Sequence, residues 1–293
     1  MYLYNKLSIL RPVHWIKNFL CFSGLIFGGR LFNLESFSSA TLLFIIFSFT
    51  SSSIYIFNDI IDKEFDKHHH KKKYRLIASG LINIKLAYLF FFLLLIFSLT
   101  SSYLLSINVF YIIILYLING ILYTLYLKNI PIIDITIIAL GFVLRLLSGI
   151  YLYNDSPTVW IILCTFFLAM FLGFGKRYAE YKSNSLNENE ILKRRPVLKY
   201  YSLEYLNTLI NDTSIITIIS YSIFTVASGR NPNLIITIPI VFYSITYYKS
   251  LIIQSNSEEP EKIFTSNLNI IIPIILWLLL SICILYSDFL LFL

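Results

Sequence analysis

The chain has 293 residues, of which 57% are hydrophobic and only 13% charged, with a mean hydropathy of +0.75. This excludes an ordinary water-soluble domain, which carries about 25% charged residues. The net charge of +7 lies in the polar stretches between apolar runs, so it gives no argument for a nucleic-acid partner.

In chain order, nine apolar stretches are long enough to cross a bilayer, which takes about 20 residues each. They cover residues 15–34, 40–58, 84–104, 108–127, 131–153, 158–175, 205–228, 233–248 and 268–288. The runs are continuous rather than alternating, which predicts helices rather than barrel strands. The expected fold is an all-α polytopic membrane bundle in contact with bilayer lipids. It is read as one domain over 1–293, because no linker or repeat divides the chain. Asn5, Lys6 and Arg11 lead into a full-length span, so no cleavable signal peptide is expected. Cys21, Cys164 and Cys283 fall in separate apolar runs and read as small buried residues, not a disulfide or zinc framework.

Positive charge sets the expected orientation. With the N-terminus in the cytoplasm and the C-terminus outside, 20 of the 23 Lys and Arg residues fall on the inner side. Two long loops, 59–83 and 176–204, then share the cytoplasmic face of the cell membrane.

The first of these loops opens on an acidic group. On a helix continuing past the second span, Asp59 and Asp66 differ by about 20° of rotation, with Asp62 within about 60° of both and Asn58 about 40° from Asp62. Such an oxygen-rich stripe repels itself unless a cation neutralises it. Its hard donors suit Mg²⁺ or Mn²⁺, and Mg²⁺ is typically held by a few carboxylates together with substrate phosphates. A solvated helix end gathers the same charges, but here the stripe closes a span and is followed at once by Lys71, Lys72, Lys73 and Arg75, which favours a metal–phosphate site. His68, His69 and His70 are consecutive and point in different directions, so they are not read as zinc ligands. Lys193, Arg194 and Arg195 suit anionic lipid headgroups.

Three stretches, "RPVHWIKN" (11–18), "NDIIDKEFD" (58–66) and "YRLIASG" (74–80), resemble the UbiA-type intramembrane prenyltransferase superfamily. That resemblance implies nine helices and an N-D-x-x-D-x-x-x-D motif that binds Mg²⁺ and a diphosphate, here Asn58, Asp59, Asp62 and Asp66. Within the superfamily, "YTLYLKNIPIIDITIIALGFVLRLLSG" (123–149) and "FGKRYAEY" (174–181) resemble the branch of decaprenyl-phosphate phosphoribosyltransferases. Aromatic prenyltransferases generally carry a second aspartate-rich motif in the second loop. This chain has no aspartate between Asp155 and Asp212 and offers Lys176, Arg177 and Glu180 instead, which suits a donor with an additional phosphate. The family's prolines in "HPxKxxRPIA" are replaced by His70 and Leu76, while His69, Lys72 and Arg75 keep their places.

The remaining polar positions have both structural and functional readings. Arg145 lies within a span, where a charge costs at least about 2.5 kcal/mol. It stands about three turns from Asp134, too far for a pair on one helix, so each needs another partner. A structural pair and a substrate contact are about equally supported, and the resemblance places both residues at the donor site. Tyr123 and Lys128 end the fourth span, as an aromatic belt would, or near the diphosphate as the family suggests. Lys17 and Asn18 open the first span, where helix amides add to anion binding. The resemblance adds Tyr55 to the substrate-binding set.

These readings imply a transferase with Asp59, Asp62 and Asp66 as catalytic residues. The reaction expected is Mg²⁺-dependent transfer of 5-phosphoribose from phosphoribosyl diphosphate to a membrane polyprenyl phosphate, for cell-envelope polysaccharide synthesis. The alternative is prenyl transfer from an isoprenyl diphosphate to a small aromatic acceptor. A transporter is disfavoured because the acidic residues cluster at one face and no repeated broken helices lie near the midplane. A homo-oligomer is left open.

Overall fold

The computed structural model describes residues 8–67, 72–183, 196–254 and 267–287. The expectations placed on His68, His69, His70, Lys71, Lys193, Arg194 and Arg195 lie outside them. The fold is all-helical, as expected. Its helices are α1 (Ser23–Phe27), α2 (Leu34–Ile61), α3 (Lys63–Lys67), α4 (Ile84–Leu105), α5 (Ile107–Leu125), α6 (Ile133–Tyr151), α7 (Val159–Ser183), α8 (Leu203–Ala227), α9 (Ile238–Gln254) and α10 (Leu268–Leu285). Among the described residues, eight helical stretches are long and apolar enough to cross a membrane. Six of them leave more than half of their apolar stretch outward-facing, as lipid-solvated helices require, with Leu93, Ile96, Leu115, Ile216 and Leu279 all exposed, whereas α2 and α6 are mostly buried.

The first expected span has a different build. Pro12–Phe22 is a 3₁₀ helix of 11 residues that passes into the short α1. Such a run is unusual, because 3₁₀ helices rarely exceed four residues. A period of three places Trp15, Asn18 and Cys21 on one stripe. The Trp15 indole donates to Ser52 Oγ at 3.1 Å and the Asn18 amide to Ser48 Oγ at 3.1 Å, while Cys21 Sγ lies 3.7 Å from Ser148 Oγ. Val13, Ile16 and Phe19, on the opposite stripe, are exposed. Just beyond, the backbones of Gly24 and Gly149 cross so closely that a Cβ on Gly24 would stand 1.9 Å from the Gly149 carbonyl oxygen. Small residues allow this approach between membrane segments.

α2 begins at Asn33, whose side chain accepts the Ser36 amide, a standard N-cap. Its buried hydroxyl run, Thr50–Ser53, bonds back to carbonyls three or four residues earlier, which satisfies polar groups that lipid cannot. The helix stops at Asp62, whose amide still bonds to Asn58 C=O, and α3 resumes one residue later.

The chain packs as two compact units, one of residues 1–130 with 140–156 and the other of residues 131–139 with 157–293. In the first, Leu43, Ile46, Phe47 and Ile54 of α2 pack with Val109, Ile113 and Leu117 of α5. A second core joins Ile56 and Ile60 to Ile77, Ala87 and Phe91. This core fixes the return segment 72–82 against the end of α2.

Candidate active site

The first unit gathers charge where α2 ends. Arg11 Nη2 donates to both carboxylate oxygens of Asp59, at 2.6 and 2.7 Å. Arg75 Nη1 bridges Asp59 Oδ1 at 3.0 Å and Asp66 Oδ2 at 2.7 Å. The Lys72 ammonium stands 4.0 Å from Asp66 Oδ1, and Tyr55 lies under the Arg11 guanidinium, 5.2 Å from ring centroid to Cζ. Ser8, Arg11, Asp59, Tyr74 and Arg75 line a cleft here. The residues from "RPVHWIKN", "NDIIDKEFD" and "YRLIASG" thus meet in space.

The geometry corrects the expected single oxygen stripe. Because the helix breaks at Asp62, that side chain turns away and accepts from Lys128 Nζ at 2.5 Å, while Asp59 and Asp66 converge on Arg75. Asn58 is half-buried in the last turn of α2. Among the described residues, no three His, Cys, Asp or Glu side chains are grouped to hold a metal. Two carboxylates, Asp59 and Asp66, share one position. Asp66 Oδ1 is buried and accepts no hydrogen bond among the described residues. Two hard carboxylates with a spare buried oxygen fit Mg²⁺, which usually takes only one or two carboxylates and completes its shell with phosphate and water.

Charge balance favours an anion. Three aspartates face four cations, Arg11, Lys72, Arg75 and Lys128. Burial raises the Asp66 carboxyl above its ordinary value, opposed by the Arg75 and Lys72 charges.

Deeper in the same unit, Arg145 is 4% exposed and its partners are neutral. Nε donates to Asn18 Oδ1 at 2.7 Å, Nη1 to Gly141 C=O at 2.8 Å and Nη2 to Tyr116 OH at 2.7 Å, with the Tyr116 ring 4.7 Å from Cζ. Asn18 bonds to Ser48 of α2, 11 residues before Asp59, which puts this cation about 16 Å further along the helix axis.

In the second unit, Arg177 Nε donates to Asp134 Oδ2 at 2.8 Å and Nη1 to Glu180 Oε2 at 3.1 Å. Tyr201 OH donates to Asp134 Oδ1 at 3.0 Å. Asp134 and Arg145 therefore each have a different partner, as their spacing predicts. Lys17, Tyr123 and Lys176 are half-buried on the first segment, α5 and α7.

Three residues escaped the sequence reading. Arg11 opens the first quoted stretch, but nothing near it in sequence marks Asp59 as its partner. Tyr116 and Tyr201 carry no local signal, because their partners lie 29 and 67 residues away.

Comparison with known proteins bears on the family and the fold. Residues 19–279 match the model of the UbiA prenyltransferase family. The decaprenyl-phosphate phosphoribosyltransferase of Corynebacterium glutamicum is 30% identical over 224 residues, covering 75% of this chain and 67% of that one. Its namesake from Mycolicibacterium smegmatis is 28% identical over 228 residues, covering 76% and 71%. A UbiA homologue from Archaeoglobus fulgidus, solved with GPP and Mg²⁺, superposes with a TM-score of 0.71 at 21% identity, over 97% of this chain and 98% of that one. At that identity the likeness speaks for the fold alone. The chain is a membrane transferase that belongs to the UbiA prenyltransferase family.

Proposed function

We propose that the protein transfers 5-phosphoribose from phosphoribosyl diphosphate to a polyprenyl phosphate at the cytoplasmic face of the cell membrane. The observation that carries this reading is the pair of relatives named decaprenyl-phosphate phosphoribosyltransferase, matched over three quarters of the chain. The cation-rich cluster at the end of α2 supports it.

Asp59 and Asp66 would hold Mg²⁺, with Asn58 beside them. The ion would neutralise the diphosphate and make it a better leaving group. Arg11, Lys72 and Arg75 bind and orient the phosphates, the arginines through two-pronged bonds. Lys17 and Lys128, in the same unit, add positive charge. Arg177 is committed to Asp134 and Glu180, so its task is to order neighbours rather than to grip phosphate. A lipid phosphate oxygen attacks the anomeric carbon, the new C–O bond forms as the bond to diphosphate breaks, and the electron pair leaves with diphosphate. That nucleophile is already anionic at neutral pH, so no general base is needed. The isoprenoid tail stays in the bilayer, since moving it into water would expose a long apolar surface.

Mass spectrometry of lipids after incubating purified protein with polyprenyl phosphate, phosphoribosyl diphosphate and Mg²⁺ tests this. A lipid heavier by one phosphoribosyl group is expected, and Asp59→Asn should abolish it. Consumption of an isoprenyl diphosphate with an aromatic acceptor, and none of the sugar donor, would establish the prenyltransferase alternative instead.

A further inference from the structure

The two carboxylates that would hold Mg²⁺, Asp59 and Asp66, are unequal. Asp66 Oδ1 is buried and accepts no hydrogen bond among the described residues. Both oxygens of Asp59 are taken: Oδ1 accepts Arg11 Nη2 at 2.6 Å and Arg75 Nη1 at 3.0 Å, and Oδ2 accepts Arg11 Nη2 at 2.7 Å. A carboxylate offers about four acceptor positions, so Asp59 is nearly saturated. A divalent ion sharing these oxygens with guanidinium groups meets like charge at close range, and partial burial weakens the screening that water would supply. Asp66 is thus a ready ligand and Asp59 a conditional one.

The condition rests with Arg11. Its backbone is left-handed, with φ 51° and ψ 58°, although Pro12 follows and favours an extended residue before it. Such a conformation persists only where the surroundings enforce it. Here Arg11 N–H donates to Ser8 C=O at 3.1 Å, Arg11 C=O accepts the His14 amide at 2.9 Å, and Leu10 C=O accepts Ser52 Oγ at 2.7 Å. The backbone is therefore fixed, and it delivers the side chain over the Tyr55 ring to Asp59. The guanidinium is held less firmly. It grips Asp59 through Nη2 alone, so Nε and Nη1 keep donors for another acceptor. The side chain is 20% exposed and lines the same cleft as Asp59 and Arg75. A diphosphate entering that cleft offers it several charged oxygens in place of one carboxylate. Arg75, by contrast, bridges Asp59 and Asp66 and ties the two ligands together.

We propose that Arg11 makes divalent-metal binding conditional on the diphosphate: its guanidinium holds Asp59 until diphosphate oxygens draw it off, and the freed carboxylate then joins Asp66 on the ion. This rests on the metal–diphosphate reading above. It gives Arg11 a second task besides gripping phosphate, because the ion and the diphosphate then each raise the other's affinity by the same factor.

Mn²⁺ binding to the purified chain in detergent tests it, followed by electron paramagnetic resonance with and without inorganic diphosphate at matched free Mn²⁺. Arg11→Met removes the guanidinium but keeps a long side chain. Affinity for Mn²⁺ alone should rise about tenfold or more, the scale of one charge-assisted hydrogen bond, and the gain from diphosphate should shrink by a similar factor. Arg11→Gln retains a neutral donor and should show the same two changes at severalfold; it serves if Arg11→Met fails to fold. Lys67→Met removes a cation beside Asp66 in sequence that is held by Glu64. It reports the effect of net charge alone, expected to be less than about twofold. An Arg11 that only grips phosphate would lower the diphosphate gain without raising affinity for Mn²⁺ alone. That result, or a rise no larger than in Lys67→Met, overturns the proposal. A wild type that binds no Mn²⁺ even with diphosphate, or an Asp59→Asn variant that binds it as well as wild type, defeats the metal reading itself and the proposal with it.

Discussion

Two arginines are buried in this protein on opposite terms. Arg177, in the second unit, is held by two carboxylates, Asp134 and Glu180. Arg145, in the first, is held by a carbonyl, an amide oxygen, a phenol and aromatic faces. A charge neutralised by its neighbours serves to fix geometry. A charge solvated only by neutral dipoles keeps its field and costs more to bury. From this contrast we propose that Arg177 serves the architecture and that Arg145 attracts an anion.

The largest effect expected is on the carboxylate-held arginine. Arg177→Met leaves Asp134 buried without its cation and should destabilise the protein by about 3–5 kcal/mol, read by thermal unfolding in detergent. Adding Asp134→Leu should restore much of that loss, and no recovery would show that the pair is not the source. Next in size, Arg145→Met orphans only neutral acceptors and should cost about 1–3 kcal/mol. It should nonetheless weaken donor or lipid-phosphate binding, measured by isothermal titration. Unchanged binding with a large stability loss would erase the distinction between the two arginines.

A third expectation concerns Asp66. Its carboxyl is raised by burial, so in the folded state it takes up a proton above the usual value of about 3.9. A raised carboxyl favours folding when protonated, and that contribution is lost as pH rises through the folded-state value. Anion and metal binding run the other way, failing as pH falls through it. Asp66→Asn should flatten the acid limb of Mn²⁺ binding followed by electron paramagnetic resonance, and should remove the matching slope in melting temperature. The smallest effect belongs to the exposed Lys67–Glu64 pair. Lys67→Ala should shift stability by less than about 1 kcal/mol, because solvent screens such pairs.

Much of this was legible from the residues alone. Long apolar runs declared the spans because lipid solvates them one helix at a time, and the separation of Asp134 from Arg145 along one helix excluded a pair between them. The oxygen stripe was half right. Asp59 and Asp66 converge, but the break at Asp62 sends the middle carboxylate to Lys128, and a backbone interruption of one residue has no marker in the sequence. The 3₁₀ build of Pro12–Phe22 did leave a trace, since Trp15, Asn18 and Cys21 recur at intervals of three while Val13, Ile16 and Phe19 face outward. A reading tuned to 3.6 residues per turn passes over it.

The sequence by itself determined that the protein is an all-helical membrane protein of this family, and which short stretches carry its charge, because those properties depend on composition and near neighbours. Only the tertiary structure decided which charges meet. Arg11 reaches Asp59 across 48 residues and Tyr201 reaches Asp134 across 67. Such pairings depend on how whole helices pack, and in a membrane interior one apolar residue facing lipid serves that packing nearly as well as another, so the local pattern does not encode them.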